Sequence, residues 1–281
     1  MNIEEVKIVA DSSGDILDLT DEPFASAPMK VCTALKEYVD DVALDVGLMV
    51  QELAHYHGRS STSCPNFDDY LRACQGARWV FCVTITATLS GSYNAAQVAA
   101  RHYEELFPDR RVFVLNSLSA GPEVCLLIER LQELILEGKE FDEICREITE
   151  YRKQTGLFFM LESMKNLANN GRVSPVVAKM AGLLGIRVVG KASERGDLEP
   201  LDKCRGEKKA LERIVEHMKL LGLHSGKVRI AHCFNEEAAR TLKGMLREAF
   251  EGRVHVKLYR CRGLCSFYAE QGGMLVGFEK F

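Results

Sequence analysis

Residues 79–106 read WVFCVTITATLSGSYNAAQVAARHYEEL. The first seven, WVFCVTI (79–85), make a nearly unbroken apolar run of strand length, bounded by turn signals. A run of this kind is expected of a parallel strand covered on both faces. The last part, YNAAQVAARHYEEL (93–106), opens a helix. Between them lies a turn rich in hydroxyls around one glycine: Thr86, Thr88, Ser90, Gly91 and Ser92. The pattern recurs on either side. VKIVADSS (6–13) reads as a strand ending at Asp11, and RVFVLNS (111–117) as the next strand. PEVCLLIERLQELILEG (122–138) is a helix with Gly138 as its C-cap, and FDEICREITEYRKQ (141–154) a second one with Phe141, Ile144, Cys145, Ile148 and Tyr151 on one stripe. CPNFDDYLRACQ (64–75) reads as a further helix starting near Pro65. Strands alternating with helices of this size imply βαβ units and a parallel sheet with helices on both faces.

After about residue 157 the pattern changes. LFFML (157–161) is strand-like, NLANNGRVS (166–174) is polar and turn-rich, and MAGLLGIRVVGKA (180–192) is apolar with glycine interruptions. Two amphipathic helices follow, 207–221 and 236–250, among strands at 227–234, 253–261 and 273–281. The expected fold class is therefore α/β. An N-terminal three-layer α/β/α domain with a parallel sheet spans residues 1–156. A C-terminal two-layer α/β domain with a mixed sheet spans 157–281.

Composition narrows the function. Of 281 residues, 47% are hydrophobic and 27% charged, with a net charge of -4. The basic excess that tracks a phosphate backbone is absent, so no nucleic-acid partner is expected. MNIEEVKIVADSS lacks the basic and apolar regions of a signal peptide, and no run approaches the ~20 apolar residues of a membrane span. The ten cysteines are scattered, several within apolar segments, as free thiols behave. A cytoplasmic protein is expected.

Phosphate-binding glycine loops and the hydrolase elbow are missing from the sequence, and Cys261 and Cys265 have no second pair at zinc-like spacing. No metal or cofactor is expected. His55 and His57 read as surface histidines, and His232 as a satisfied core residue. The hydroxyl turn has two readings. One hydroxyl can simply cap the following helix. A cluster beside a glycine at a helix N-terminus can instead cradle the oxygens of an anion. RSSTSCP (59–65), with Thr62 and Ser63, and NSLSAGPE (116–123), with Ser117 and Ser119, are two more hydroxyl-rich turns. Three converging at one sheet rim would form a neutral site for a small anionic head group. Such a site suits holding a carboxylate more than breaking a bond. Arg172 and Arg205, each beside a glycine, read either as solvated surface charge or as forks for a phosphate or a partner's carboxylate.

Together VADSSGDI (9–16), TSCP (62–65), TATLSGSYNAA (86–96), LNSLSAG (115–121), ESMKNLANNGRVS (162–174), KCRGEKKA (203–210) and GGMLVGF (272–278) resemble, in order and spacing, the DegV family of bacterial fatty-acid-binding proteins. The resemblance runs over essentially the whole chain. It implies two α/β domains and one buried long-chain fatty acid whose carboxylate is held by hydroxyls. Carried over, those are Thr62 of TSCP and Ser90 and Ser92 of the LSGS turn, with Ser63 and Gly91 beside them in the site. In some members the bound acid is presented to a separate fatty acid kinase that phosphorylates its carboxylate. Arg172 and Arg205 then become candidates for partner or phosphate contact. The family commonly carries a histidine near the ligand head in a C-terminal histidine-threonine-glycine-proline-glycine segment. Here CSFYAEQGG stands instead, with Tyr268 at or near the histidine's place.

The expected function is thus a carrier, monomeric and without catalysis of its own. One rival is an enzyme on a small phosphorylated or polyhydroxy substrate, as a distant kinship to dihydroxyacetone kinases allows, with Asp11 as its carboxylate. The other is a lipid-sensing interaction protein.

Overall fold

In the computed structural model, which describes residues 5–19, 23–182 and 185–280, the WVFCVT run forms strand β6 (Trp79–Thr84), buried beyond its first residue. It lies between two parallel neighbours, β1 (Val6–Asp11) and β7 (Arg111–Asn116), with Ile8 opposite Phe81 and Val80 opposite Val112. Parallel β2 (Phe24–Ala27) completes the order β2-β1-β6-β7. Alternate side chains of β6 meet different helices, which is why the run is apolar throughout. Val80 and Cys82 pack on α2 (Phe67–Cys74) and α3 (Ser92–Leu106) through Tyr70, Ala99 and Tyr103. Phe81 and Val83 pack on α4 (Pro122–Leu136) and α5 (Phe141–Lys153) through Leu127, Leu131 and Phe141. This is the expected three-layer arrangement. Gly138, at φ +74°, lies just past the end of α4 and donates to the Ile135 carbonyl.

The second sheet takes β8 (Thr155–Leu161), β9 (Ile186–Ala192), β10 (Leu198–Arg205), β11 (Gly226–His232), β12 (Val254–Arg260) and β13 (Met274–Glu279) in the order β10-β9-β8-β13-β11-β12. Only β11 and β12 run parallel, so the sheet is mixed. After β8 come two short helices, α6 (Lys165–Asn169) and α7 (Pro175–Ala178), and helices α8 (Glu207–Leu220) and α9 (Glu236–Ala249) cover one face of the sheet, packing Leu211, Ile214 and Leu242 on Phe158, Ile230 and Val276. The other face turns toward the first sheet's helices. Gly277 makes that approach close: a Cβ there would stand 2.5 Å from the Pro122 carbonyl carbon at the start of α4.

A third, small antiparallel sheet has no counterpart in the sequence reading. It orders β4 (Glu37–Val39), β3 (Lys30–Cys32) and β5 (Ser61–Ser63) and carries α1 (Val46–His55) beside it. Val31, Tyr38 and Met49 from this layer pack on Phe267 of α10 (Gly263–Ala269). Strands of three residues are too short to show a period. The TSCP segment is accordingly part strand. The following helix starts at Phe67 rather than near Pro65, because Asn66 and Asp69 form a capping box.

Candidate ligand site

Between the two larger sheets lies a cavity of about 360 Å³, within the usual range for small-molecule sites. Most of its wall is apolar. Strand β8 contributes Leu157, Phe159 and Leu161, every second residue, and Ile85, Leu264 and Leu275 close other sides. Thr62, Ser63, Ser90, Gly91, Arg172 and Tyr268 supply the polar wall.

These polar residues come from distant parts of the chain and touch one another. Thr62, central in β5 and opposite Val31, points its hydroxyl to the Tyr268 phenol at 2.6 Å. Arg172 donates from Nε to the Leu89 carbonyl at 3.1 Å and from its guanidinium to the Asn170 carbonyl, which fixes it beside the turn that carries Ser90. Burial raises the Tyr268 pKa, and the Thr62 bond and the Arg172 charge only partly oppose it. The phenol therefore stays neutral and available as a donor at physiological pH. Gly91 is the N-cap residue of α3 and caps it with no side chain. The first turn of this 15-residue helix brings backbone N–H groups and the positive dipole end to the polar wall.

Ser92 sits elsewhere than the carboxylate-holding turn would require. It is fully buried, and its hydroxyl donates to Asp11 Oδ2 at 2.5 Å and meets the Tyr70 hydroxyl at 2.5 Å. Asp11 also accepts from the Ile85 N–H at 2.9 Å and from the Ser13 N–H and hydroxyl, and burial raises its pKa against those bonds. Asp11 thus ties β1 to the ends of the neighbouring turns, sealed from the cavity. Thr86 and Thr88 bond to each other, and Thr88 donates to the Gly196 carbonyl at 2.8 Å, which pins the turn to the β9–β10 connection. Of that turn's hydroxyls, Ser90 alone reaches the cavity. In the third turn, the Ser117 hydroxyl donates to the Ser119 carbonyl and accepts from the Ser119 N–H, and it is Ala120 that lines the wall. Two of the three hydroxyl turns therefore converge.

The arginines also part company. Arg172 is a wall residue. Arg205 is exposed at the end of β10, away from the cavity lining. His55 is exposed, with Nδ1 2.8 Å from the Gln51 carbonyl oxygen, and His57 is exposed too. His232 is buried, accepts from the Asn235 N–H, and has its pKa lowered by burial. Among the described residues no three His, Cys, Asp or Glu side chains are grouped to hold a metal ion, and no helix is long and apolar enough to cross a membrane.

Sequence reasoning missed the residues that aim Tyr268. Buried Asp40 accepts from the Gly263 and Leu264 N–H groups, both at 2.8 Å, at the start of α10. Asp15 accepts from the Arg262 N–H just before it. Asn166, within ESMKNLANNGRVS, donates to the Phe267 carbonyl at 2.8 Å. Their partners lie 100 to more than 200 positions away, so no local signal marks Asp40 or Asp15.

Nearly the whole chain aligns with known proteins. A DegV domain-containing protein, spr0652, of Streptococcus pneumoniae is 43% identical over 277 residues, covering 97% of this chain and 98% of that one. A DegV family protein from Eubacterium eligens, solved loaded with heptadecanoic acid, superposes with a TM-score of 0.96 at 42% identity, over 98% of this chain and 100% of its own. The Streptococcus pneumoniae Fatty Acid Kinase (Fak) B3 protein, solved loaded with linoleic acid, gives the same TM-score and identity over 98% and 99%. The family model described as "Uncharacterised protein, DegV family" matches residues 5–280, and the chain belongs to the DegV family.

Proposed function

We propose that this protein carries one long-chain fatty acid in the cavity between its two larger sheets and catalyses no reaction itself. The observation that carries the reading is the wall itself: an apolar lining that ends in neutral hydroxyls, a helix N-terminus and one arginine. Thr62 and Ser90 donate to the carboxylate, with Gly91 and Ser63 beside them, while Tyr268 accepts or donates through Thr62. If the phenol donates to Thr62 Oγ1, the threonine proton is free for the ligand. Arg172 supplies the positive charge that a desolvated carboxylate needs. Each methylene buried in the apolar part contributes about 0.8 kcal/mol. The two relatives at 42% identity hold acyl chains of this kind.

The bound acid is presented to a separate fatty acid kinase, with exposed Arg205 on the partner-facing side; the name of the Fatty Acid Kinase (Fak) B3 relative, loaded with linoleic acid, supports this reading. The carrier acts as a cytoplasmic monomer. Its ten cysteines are all free, as a reducing compartment keeps them. The enzyme alternative loses its carboxylate, since Asp11 is engaged by Ser13, Ile85 and Ser92.

Native mass spectrometry of the purified protein, followed by organic extraction, tests the proposal. The expected result is a mass excess of one fatty acid of palmitate-like length. A protein that comes empty and refuses added palmitate, or that binds a short-chain acid equally well, overturns it.

A further inference from the structure

On the far side of strand β8 lies a second cleft of about 390 Å³, with Leu157 forming part of both walls. Four basic residues line it, Arg152, Lys153, Lys191 and Lys280, against two acidic ones, Glu123 and Glu194. Lys153 is engaged by Glu150 at 2.7 Å, and Lys191 reaches Glu199 only at 3.6 Å. Arg152 donates to a neutral group, the Asn116 carbonyl, at 2.7 Å. Glu123 is buried and accepts from the Thr155 hydroxyl at 2.7 Å; burial raises its pKa, and the nearby charges of Lys280 and Arg152 oppose that shift. The floor is apolar: half-exposed Leu221 lines it together with the buried pair Phe158 and Phe278, which stack 5.2 Å between centroids and 8° apart. Cations on the rim and an apolar floor beneath are the two halves of a site for an amphipathic anion.

From this we infer that the cleft binds an organic anion with an apolar body, its phosphate, sulfate or carboxylate held by Arg152, Lys191 and Lys280. The walls come from both halves of the chain: Ser117 to Thr155 on one side, Phe158, Lys191 and Phe278 on the other. An occupant would bridge them. The site is separate from the acyl cavity, since none of these cations lines that cavity.

The test uses 1-naphthyl phosphate as probe, titrated by calorimetry into protein saturated with palmitic acid so that the acyl cavity is closed to the naphthyl ring. 1-Naphthol and inorganic phosphate are titrated in parallel. The expected result is saturable one-to-one binding of 1-naphthyl phosphate, with each control at least tenfold weaker. Lys191→Gln combined with Lys280→Gln should weaken the probe at least tenfold. Both side chains are solvent-accessible, so folding is unaffected, and palmitate binding should be unchanged. No saturable binding, equal binding of any control, or full affinity in the double variant overturns the inference.

Discussion

Thr62→Val is the substitution that isolates the head-group contact. Valine keeps the β-branched shape that suits the middle of β5 opposite Val31, so the small sheet survives. What disappears is one hydroxyl, which in the free protein sits 2.6 Å from the Tyr268 phenol. In the bound state that hydroxyl donates to a carboxylate, a charge-assisted bond whose loss costs about 1.5–3 kcal/mol. At 1.4 kcal/mol per decade, this is a fall in affinity of roughly 10- to 150-fold. The assay is displacement of a fluorescent fatty acid by C12, C14, C16 and C18 acids. The variant should weaken every chain length by the same factor. The increment per added carbon, about 0.8 kcal/mol, should stay as in the parent, because the apolar wall is untouched. Thr62→Ser should restore most of the loss. In a cycle with Tyr268→Phe the two losses should add to less than their sum, since each removes the same shared bond. Unchanged affinity in Thr62→Val, or a loss that grows with chain length, would refute the assignment of Thr62 to the carboxylate.

Ser92→Ala should lower stability by about 1–3 kcal/mol in urea titration, because buried Asp11 loses a donor, while palmitate affinity changes little; an affinity loss without a stability loss would reverse the role given to Ser92. Arg172→Ala should weaken palmitate binding and leave Arg205→Ala as the variant that spares it, measured by the same displacement assay. Asp15 is held at a pKa of about 8 by burial, with nearby Asp40 pushing the same way. The folded state therefore keeps a proton that the unfolded chain releases near the ordinary value of 3.8, and stability falls as pH rises from about 4 to 8. The urea midpoint should drop over that range, and Asp15→Asn, which can still accept from the Arg262 N–H, should flatten the slope. Gly277→Ala should lower the melting temperature sharply, since its Cβ would stand 2.5 Å from the Pro122 carbonyl carbon; an unchanged melting temperature would mean that β13 and α4 separate at little cost.

Much of the architecture was legible because it is written locally. The apolar run of β6, the 3.6-residue stripes of α4 and α5 and the glycine past α4 are each readable within a window of a few turns, and each forms the element expected. The short strands β3, β4 and β5 were not, since three residues carry no period and hold their place through distant contacts, such as Val31 and Tyr38 on Phe267 of α10 and Thr62 on Tyr268. Tyr268 was brought forward by resemblance alone. No pattern in the sequence says that it meets Thr62, 206 positions away.

By itself, the sequence determined the types of its long elements, their alternation into parallel and mixed sheets, and the neighbourhood of the ligand turn. Those follow from propensity and periodicity, which act between residues close in the chain. The tertiary structure alone decided which hydroxyls face the ligand. Ser90 and Ser92 stand two residues apart and read alike, yet entry into α3 turns one toward the cavity and the other inward to Asp11. It also separated Arg172, drawn into the wall by the Leu89 carbonyl, from Arg205, left exposed at a strand end. The direction of a side chain depends on the helix phase and on the packing of segments a hundred residues apart, and neither is encoded in any short stretch.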